Sequence, residues 1–133
     1  MEIIFVDTSA MYAYFDKSDN EHAITISQIQ EIQIPLVTTN YVIDETITLL
    51  ARNLGTHLAY KIGTDLLNEY FAKIIRVSLD DEKNALEILH KYSDKKFSFT
   101  DCISFAIMEK MKIKSAFSFD EHFKQYGKFI IIP

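Results

Sequence analysis

The sequence contains few of the residues on which disulfide-rich, zinc-binding or membrane proteins depend. Its 133 residues include one cysteine, three glycines, two prolines and no tryptophan. A single cysteine excludes an internal disulfide, and the amino-terminal segment lacks the basic and long apolar stretches of a secretory signal, so we expect a cytoplasmic protein. The longest apolar stretches, such as Phe129 to Ile132, are too short to span a membrane, and we expect no membrane partner.

Several signatures of catalysis and binding are also missing. The histidines and Cys102 never show the close spacing of zinc ligands, and the chain has neither a glycine-rich phosphate loop nor a Gly-x-Ser-x-Gly turn. The net charge of −5 argues at first against nucleic-acid binding, because such proteins usually have a basic face. Two lysine groups are interpreted as solvated helix ends, with a weak phosphate-binding rim as the alternative: Lys91, Lys95 and Lys96, and Lys110, Lys112 and Lys114.

What the sequence does contain is a regular alternation of short apolar runs with segments of helical periodicity. The hydrophobic content of 48% supports a packed core, and no repeat or composition break divides the chain, so we predict one domain over residues 1–133. Predicted strands cover about 2–6, 36–38, 74–77, 115–117 and 128–132, and predicted helices about 10–15, 20–32, 40–54, 57–72, 80–92, 100–111 and 120–124. This alternation predicts an α/β fold, a sandwich in which helices cover both faces of a parallel sheet.

Four carboxylates occupy positions where a strand or loop leads into a helix. They are Asp7, Glu45, Asp101 and Asp120. In a parallel sheet such positions gather at the carboxyl ends of the strands, where ligands bind. Because four acids in one place repel each other, a cation must compensate them, and Mg²⁺ or Mn²⁺ prefers oxygen ligands. If these acids bind cations, the rest of the chain is close to neutral.

Each acid also has a structural interpretation. Asp7 is placed to cap the first helix, although Ser9 could do so equally well. Glu45 shares a helix face with apolar residues, where a carboxylate is costly unless it binds a metal or forms an ion pair, for example with Arg52. The positions of the acids across the whole chain nevertheless favour one shared site.

The last two acids lie beside serines that could form capping boxes. Ser98 and Asp101 fit such a box at the start of the most apolar helix of the chain. Ser118 and Glu121 fit a second box, which we expect to leave Asp120 free for another role. Ser9 and Thr100 are interpreted either as caps or as residues that orient ligands or phosphate.

Four segments together resemble the PIN-domain family of metal-dependent nucleases. They are residues 5–10 (FVDTSA), 38–46 (TTNYVIDET), 97–102 (FSFTDC) and 116–123 (AFSFDEHF). The resemblance implies a three-layer sandwich with a central parallel sheet of about five strands. It also implies that Asp7, Glu45, Asp101 and Asp120 gather around one or two Mg²⁺ or Mn²⁺ ions. Asp44 adjoins Glu45 and Glu121 adjoins Asp120 in the sequence, but Glu45 and Asp120 are the positions that match the family motif.

The resemblance carries further expectations about function. PIN-domain nucleases typically cut single-stranded RNA and leave a 5′-phosphate and a 3′-hydroxyl. A single domain of this size is similar to the VapC-like toxin ribonucleases of toxin–antitoxin pairs. These are commonly homodimers that a small antitoxin protein inhibits. We therefore expect an RNA substrate, an antitoxin partner and a homodimer.

The hypothesis that follows is metal-assisted hydrolysis of a phosphodiester. Asp7 and Asp101 would be the main metal ligands, and Glu45 and Asp120 would complete the site directly or through water. A phosphoaspartate phosphatase would need a second aspartate where the chain has Ser9, and a receiver domain would need paired acids after the first strand. A non-catalytic PIN-fold module that binds RNA or protein remains the alternative.

Overall fold

Five short parallel strands form the centre of the fold. The structure is a computed structural model that describes residues 2–133, so the first residue of the predicted domain lies outside the described residues. The strands are β1 (Ile4–Val6), β2 (Leu36–Thr39), β3 (Lys73–Ile75), β4 (Ser115–Phe117) and β5 (Ile130–Ile132). They pair in the order β3-β2-β1-β4-β5, and every pairing is parallel. The predicted α/β fold with a parallel sheet of about five strands is confirmed.

Seven helices within residues 2–133 connect and cover these strands. They are α1 (Thr8–Phe15), α2 (His22–Glu31), α3 (Asn40–Leu54), α4 (Thr56–Leu67), α5 (Leu79–Lys91), α6 (Phe99–Lys110) and α7 (Glu121–Tyr126). All the predicted helices are present; α3 has its predicted bounds, and the other helices differ at one or both ends. The prediction that α4 continues to about residue 72 is wrong, because Glu69 adopts a φ of 61° and its carboxylate accepts a hydrogen bond from the N–H group of Ile74 at 2.6 Å.

Two neighbouring polar residues at the start of α3 make hydrogen bonds to different parts of the chain. Thr39 caps the helix, with Oγ1 accepting from the N–H group of Val42 at 3.2 Å. Asn40, whose amide side chain is of a type that often caps helices, instead accepts from the N–H group of Val77 at 2.9 Å. This bond connects the end of β2 to the segment after β3. At the other end, Gly55 terminates α3 with a positive φ of 96°, which favours glycine.

The core is built around β1 and α6. Phe5 and Val6 of β1 are completely buried, and every residue of α6 from Asp101 to Met108 is buried. Each fully buried large apolar side chain contributes roughly 1.5–3 kcal/mol relative to an exposed one. Burial, followed by the nearby Asp101 carboxylate, raises the pKa of the Cys102 thiol to about 11, which agrees with a packing role. A central, strongly apolar α6 was expected from the sequence and holds Asp101 firmly in place.

The strand order creates a crevice at the carboxyl end of the sheet. Along the chain, β2 and β3 extend the sheet on one side of β1, and β4 and β5 then extend it on the other side. In open parallel sheets, ligands bind at such a change of direction, outside the carboxyl ends of the strands. Here it lies between β1 and β4. None of the helices described is long and apolar enough to cross a membrane.

Candidate functional site

Asp7 lies at the floor of the crevice between β1 and β4. Its backbone N–H group donates to the carbonyl of Phe117 at 3.0 Å, which joins the ends of the two strands. Its Oδ2 atom accepts hydrogen bonds from the hydroxyls of Ser118 at 2.9 Å and Ser9 at 3.1 Å. Only 3% of the residue is exposed, and its side chain makes no capping hydrogen bond with α1. Helix capping therefore does not account for this aspartate.

The electrostatic environment of Asp7 is unfavourable for a carboxylate. Burial is the largest cause that raises its pKa, from 3.8 to about 7, and the hydrogen bond from Ser118 works in the opposite direction. The charges of Asp101 and Asp120 raise the pKa further. Asp7 is thus a buried acid near two others, and no cationic side chain among residues 2–133 forms an ion pair with it.

Asp101 is fixed by both its own helix and a histidine. It forms the predicted capping box of α6, since its Oδ2 accepts from the N–H group of Ser98 and its N–H donates to the Ser98 hydroxyl, both at 3.0 Å. The same Oδ2 lies 2.7 Å from Nδ1 of His122. With Oδ2 occupied in this way, Oδ1 has no hydrogen-bond donor in the described part of the chain. Capping and metal binding are compatible, because they use different oxygens.

Asp120 follows β4 and caps α7. Its Oδ1 accepts from the N–H group of His122 at 2.9 Å. The predicted capping box between Ser118 and Glu121 is wrong. The Ser118 hydroxyl donates instead to Asp7 and accepts from the N–H group of Asp120 at 3.0 Å. Ser118 consequently connects Asp7 to Asp120. Asp120 itself caps α7, a role that the sequence assigned to Ser118.

His122 is the site residue that sequence reasoning missed. Its ring nitrogen contacts Asp101 and lies 3.5 Å from Oδ1 of Asp120, and its ring packs edge-on against Phe97. Asp101, Asp120 and His122 each offer a ligand atom, and these atoms lie within 4.8 Å of one another. A search for paired zinc ligands overlooks this histidine. Its position two residues after a site acid, in the first turn of a helix, was the available signal.

Glu45 lies within α3 rather than at a strand end, and it is outside the group formed by Asp101, Asp120 and His122. The prediction that Glu45 lies where a strand or loop leads into a helix is wrong, because Glu45 is the sixth residue of α3. Its half-buried side chain lines a groove of about 300 Å³ together with Thr100, the residue before Asp101. No ion pair joins it to Arg52 among residues 2–133, so the alternative of an edge salt bridge is absent. Asp44 is exposed and lines the same groove.

The fold and this arrangement can be compared with known proteins. Residues 4–129 match the family model described as the PIN domain. The chain belongs to the PIN-domain family. Among curated relatives of this PIN domain, the 23S rRNA-specific endonuclease VapC20 of Mycobacterium tuberculosis is 35% identical over 126 residues, which cover 94% of this chain and 95% of the relative. The VapC ribonuclease of Archaeoglobus fulgidus is 30% identical over 128 residues, covering 89% of this chain and 77% of the relative.

Solved structures also match the fold of this chain. The crystal structure of M. tuberculosis VapC20, described as a sarcin–ricin loop cleaving toxin, superposes with a TM-score of 0.91 at 31% identity. The match covers 98% of this chain and 99% of that one. FitAcB of Neisseria gonorrhoeae superposes with a TM-score of 0.73 at 12% identity, and that likeness shows the fold alone. The PIN-like sandwich expected from the sequence is therefore confirmed.

The donor set of this PIN domain suits a divalent cation. Asp7, Asp101 and Asp120, which we call the acid cluster, present carboxylate oxygens, and these are the ligands that Mg²⁺ and Mn²⁺ prefer. The raised pKa of Asp7 indicates negative charge that the surrounding side chains do not neutralise. A bound cation would favour the ionised form of that carboxyl. The residues present therefore fit the metal that PIN nucleases use.

Proposed function

We propose that this PIN domain is a metal-dependent endoribonuclease that hydrolyses phosphodiester bonds of RNA and acts as the toxin of a toxin–antitoxin pair. The observation that carries the proposal is the burial of Asp7 beside Asp101 and Asp120, with a pKa raised to about 7. A protein gains nothing in stability from such a cluster, because like charges in a poorly solvated place repel each other. Function explains why it is present.

The cation is Mg²⁺ or Mn²⁺ in this proposal, with Asp7 and Asp101 as its main ligands. Glu45 and Asp120 complete the site directly or through water. When bound, the cation acts as a Lewis acid that activates water and stabilises negative charge on the phosphate. The carboxylates themselves would repel an RNA phosphate, so the same ion is needed for substrate binding.

The chain's other residues hold the carboxylates in place before substrate arrives. Ser9 and Ser118 fix one oxygen of Asp7, and His122 with Ser98 fixes one oxygen of Asp101. In Asp101 the second oxygen has no hydrogen-bond donor among the described residues and remains available to a ligand. Such preorganisation matters because the site does not then have to reorganise when charge develops on the phosphate.

The relatives suggest which RNA to examine first. VapC20 is named as an endonuclease specific for 23S rRNA, and its similarity spans nearly the whole of both chains. We propose that this protein also cuts a loop of ribosomal RNA in the cytoplasm, with a small antitoxin protein as its inhibitor. We also propose a homodimer. Tyr60 and Leu67, which are seven residues apart on α4 and exposed by 76% and 51%, offer it an apolar contact surface.

The experiment that tests the proposal incubates purified protein with total RNA and with isolated ribosomes, in Mg²⁺, in Mn²⁺ and in EDTA. The Asp7→Asn variant is the matched control. We expect cuts with 5′-phosphate and 3′-hydroxyl ends that require metal and are absent in the variant. Products ending in 2′,3′-cyclic phosphate would contradict hydrolysis by activated water. RNA binding without any cutting would favour the non-catalytic module.

A further inference from the structure

The groove beside Glu45 contains a positive charge that its surroundings leave unpaired. Its walls are formed by Asp44, Glu45, Thr48, Leu49, Arg52 and Thr100. Arg52 forms no ion pair within residues 2–133, although two carboxylates line the same groove. The exposed guanidinium is therefore available to an anion from outside the chain.

The geometry of α3 places this charge at a defined distance from the acids. Glu45 and Arg52 are seven residues apart, which is close to two helical turns, so they lie on the same face about 10 Å apart along the axis. Across the groove, Thr100 immediately precedes Asp101 of the acid cluster. The groove thus contains the guanidinium of Arg52, and Thr100 in its wall is joined through the chain to Asp101 of the acid cluster.

A structural role for Arg52 accounts for less of this arrangement. Arg52 lies in the last turn of α3, where a cation interacts favourably with the helix dipole. Any exposed cation in that turn would provide this effect, whichever direction it faced. The dipole does not require a guanidinium in the wall of a groove that the hydroxyls of Thr48 and Thr100 also line.

We propose that Arg52 binds the RNA phosphate of a nucleotide next to the cleaved bond and so positions the strand across the acid cluster. The inference rests on the proposed ribonuclease function. A guanidinium binds phosphate through two parallel hydrogen bonds, the two threonine hydroxyls can donate to further oxygens, and Leu49 offers an apolar surface to a ribose. With a net charge of −5, the protein needs such a local cation to hold a polyanion near its acids.

The test measures binding of a fluorescein-labelled single-stranded RNA of mixed sequence by fluorescence anisotropy, in Mg²⁺ and at several KCl concentrations. The parent protein carries Asp101→Asn so that the RNA stays uncut. Adding Arg52→Gln is expected to weaken binding about tenfold and to make the slope of log K against log salt less negative by about 0.7, the value for one phosphate contact on a single strand. Arg52→Lys should keep the slope and lose part of the affinity, because an ammonium lacks the planar fork.

The charge control is Lys114→Gln. Lys114 precedes β4 and lines a cavity at the amino end of the sheet, whereas the acids lie at the carboxyl ends of the strands. The alternative of a phosphate-binding rim therefore does not apply to Lys114, and this change removes one positive charge far from the site. Its slope and affinity should match those of the parent. Equal slopes for the parent and Arg52→Gln would overturn the inference, and so would an equal effect of Lys114→Gln. Thermal unfolding of every variant verifies that each is folded.

The outcomes separate this inference from the function on which it rests. If wild-type protein cuts RNA and Arg52→Gln leaves the slope unchanged, the assignment of Arg52 alone is wrong. A reduced slope in a protein whose wild-type form cuts no RNA supports the phosphate contact and contradicts the nuclease. Failure of both the parent and the wild-type protein to bind RNA in Mg²⁺ overturns both.

Discussion

Two buried aspartates, Asp81 at the start of α5 and Asp7 at the end of β1, have the same exposure of 3% but opposite electrostatics. Burial alone would raise the pKa of Asp81, but the hydrogen bond from the Ser78 N–H group and Lys110 Nζ at 2.9 Å bring it below its usual value. The pKa of Asp7 is raised to about 7. The fold provides a lysine for one buried carboxyl and places two further acids beside the other. Burial therefore does not distinguish the two aspartates, whereas charge compensation does.

The largest expected difference between the two aspartates is in catalysis. Asp7→Asn should lower the rate of RNA cleavage in Mg²⁺ by at least about a hundredfold, because it removes a charged group that holds the cation. Asp81→Asn, an identical change at a buried site, should leave the rate unchanged. Rates from labelled RNA at saturating Mg²⁺ provide the measurement. Equal loss in both variants would show that the effect of Asp7→Asn is structural.

Stability should change in the opposite direction. Above about pH 8 and without metal, Asp7→Asn should raise the free energy of unfolding by on the order of 2–4 kcal/mol. The reason is that the pKa of Asp7 is higher in the folded protein than in the unfolded chain, so the ionised carboxyl destabilises the folded state. Asp81→Asn should lower it by about 1 kcal/mol, because a charge-assisted hydrogen bond is lost. Urea denaturation in EDTA measures both. Destabilisation by Asp7→Asn at this pH would contradict the unfavourable environment assigned to Asp7.

The same difference predicts a pH dependence. A folded-state pKa of about 7 against 3.8 means that the folded protein binds more protons than the unfolded chain between these values. The contribution of Asp7 to the free energy of unfolding should therefore fall as pH rises from about 4 to about 7 and stay constant above. Comparing wild type with Asp7→Asn across this range isolates that contribution, and parallel curves for the two proteins would contradict it.

The smallest expected effect concerns His122 and Lys110, the side chains that contact Asp101 and Asp81. His122→Ala should weaken Mn²⁺ binding about tenfold, because Asp101 loses the ring that fixes its carboxylate, and residues that orient metal ligands have effects of this size. Lys110→Gln removes the corresponding partner of Asp81 and should leave Mn²⁺ affinity unchanged. Calorimetric titration of both variants measures the difference. An unchanged affinity in His122→Ala would remove the positioning role of the histidine.

The sequence predicts elements well where local pattern determines them. The apolar run of β1, the buried α6 and the terminator Gly55 were all recognisable, because hydrophobic periodicity and glycine conformation act over a few residues. The Ser98–Asp101 capping box was predictable for the same reason. The proximity of Asp7, Asp101 and Asp120 was predictable because their positions relative to strands and helices follow from topology, whereas their role as site residues stays a prediction.

The misassigned residues are those whose partners are distant in the chain. Ser118 fits a capping box locally, but its hydroxyl donates to Asp7, 111 residues away. Asn40 looks like a cap, but it accepts from Val77, 37 residues away. His122 was not recognised as part of the site because its partner Asp101 lies 21 residues earlier. In each case tertiary packing decides which of several adequate hydrogen bonds forms, and sequence pattern does not contain that information.

The most direct test of the central claim is anomalous diffraction at the manganese edge from crystals of the protein soaked in Mn²⁺. The account predicts a peak among the carboxylates of Asp7, Asp101 and Asp120, which disappears in Asp7→Asn crystals soaked in the same way. Well-ordered crystals of the wild-type protein with no peak at the acid cluster, or with a peak that Asp7→Asn leaves unchanged, would contradict it.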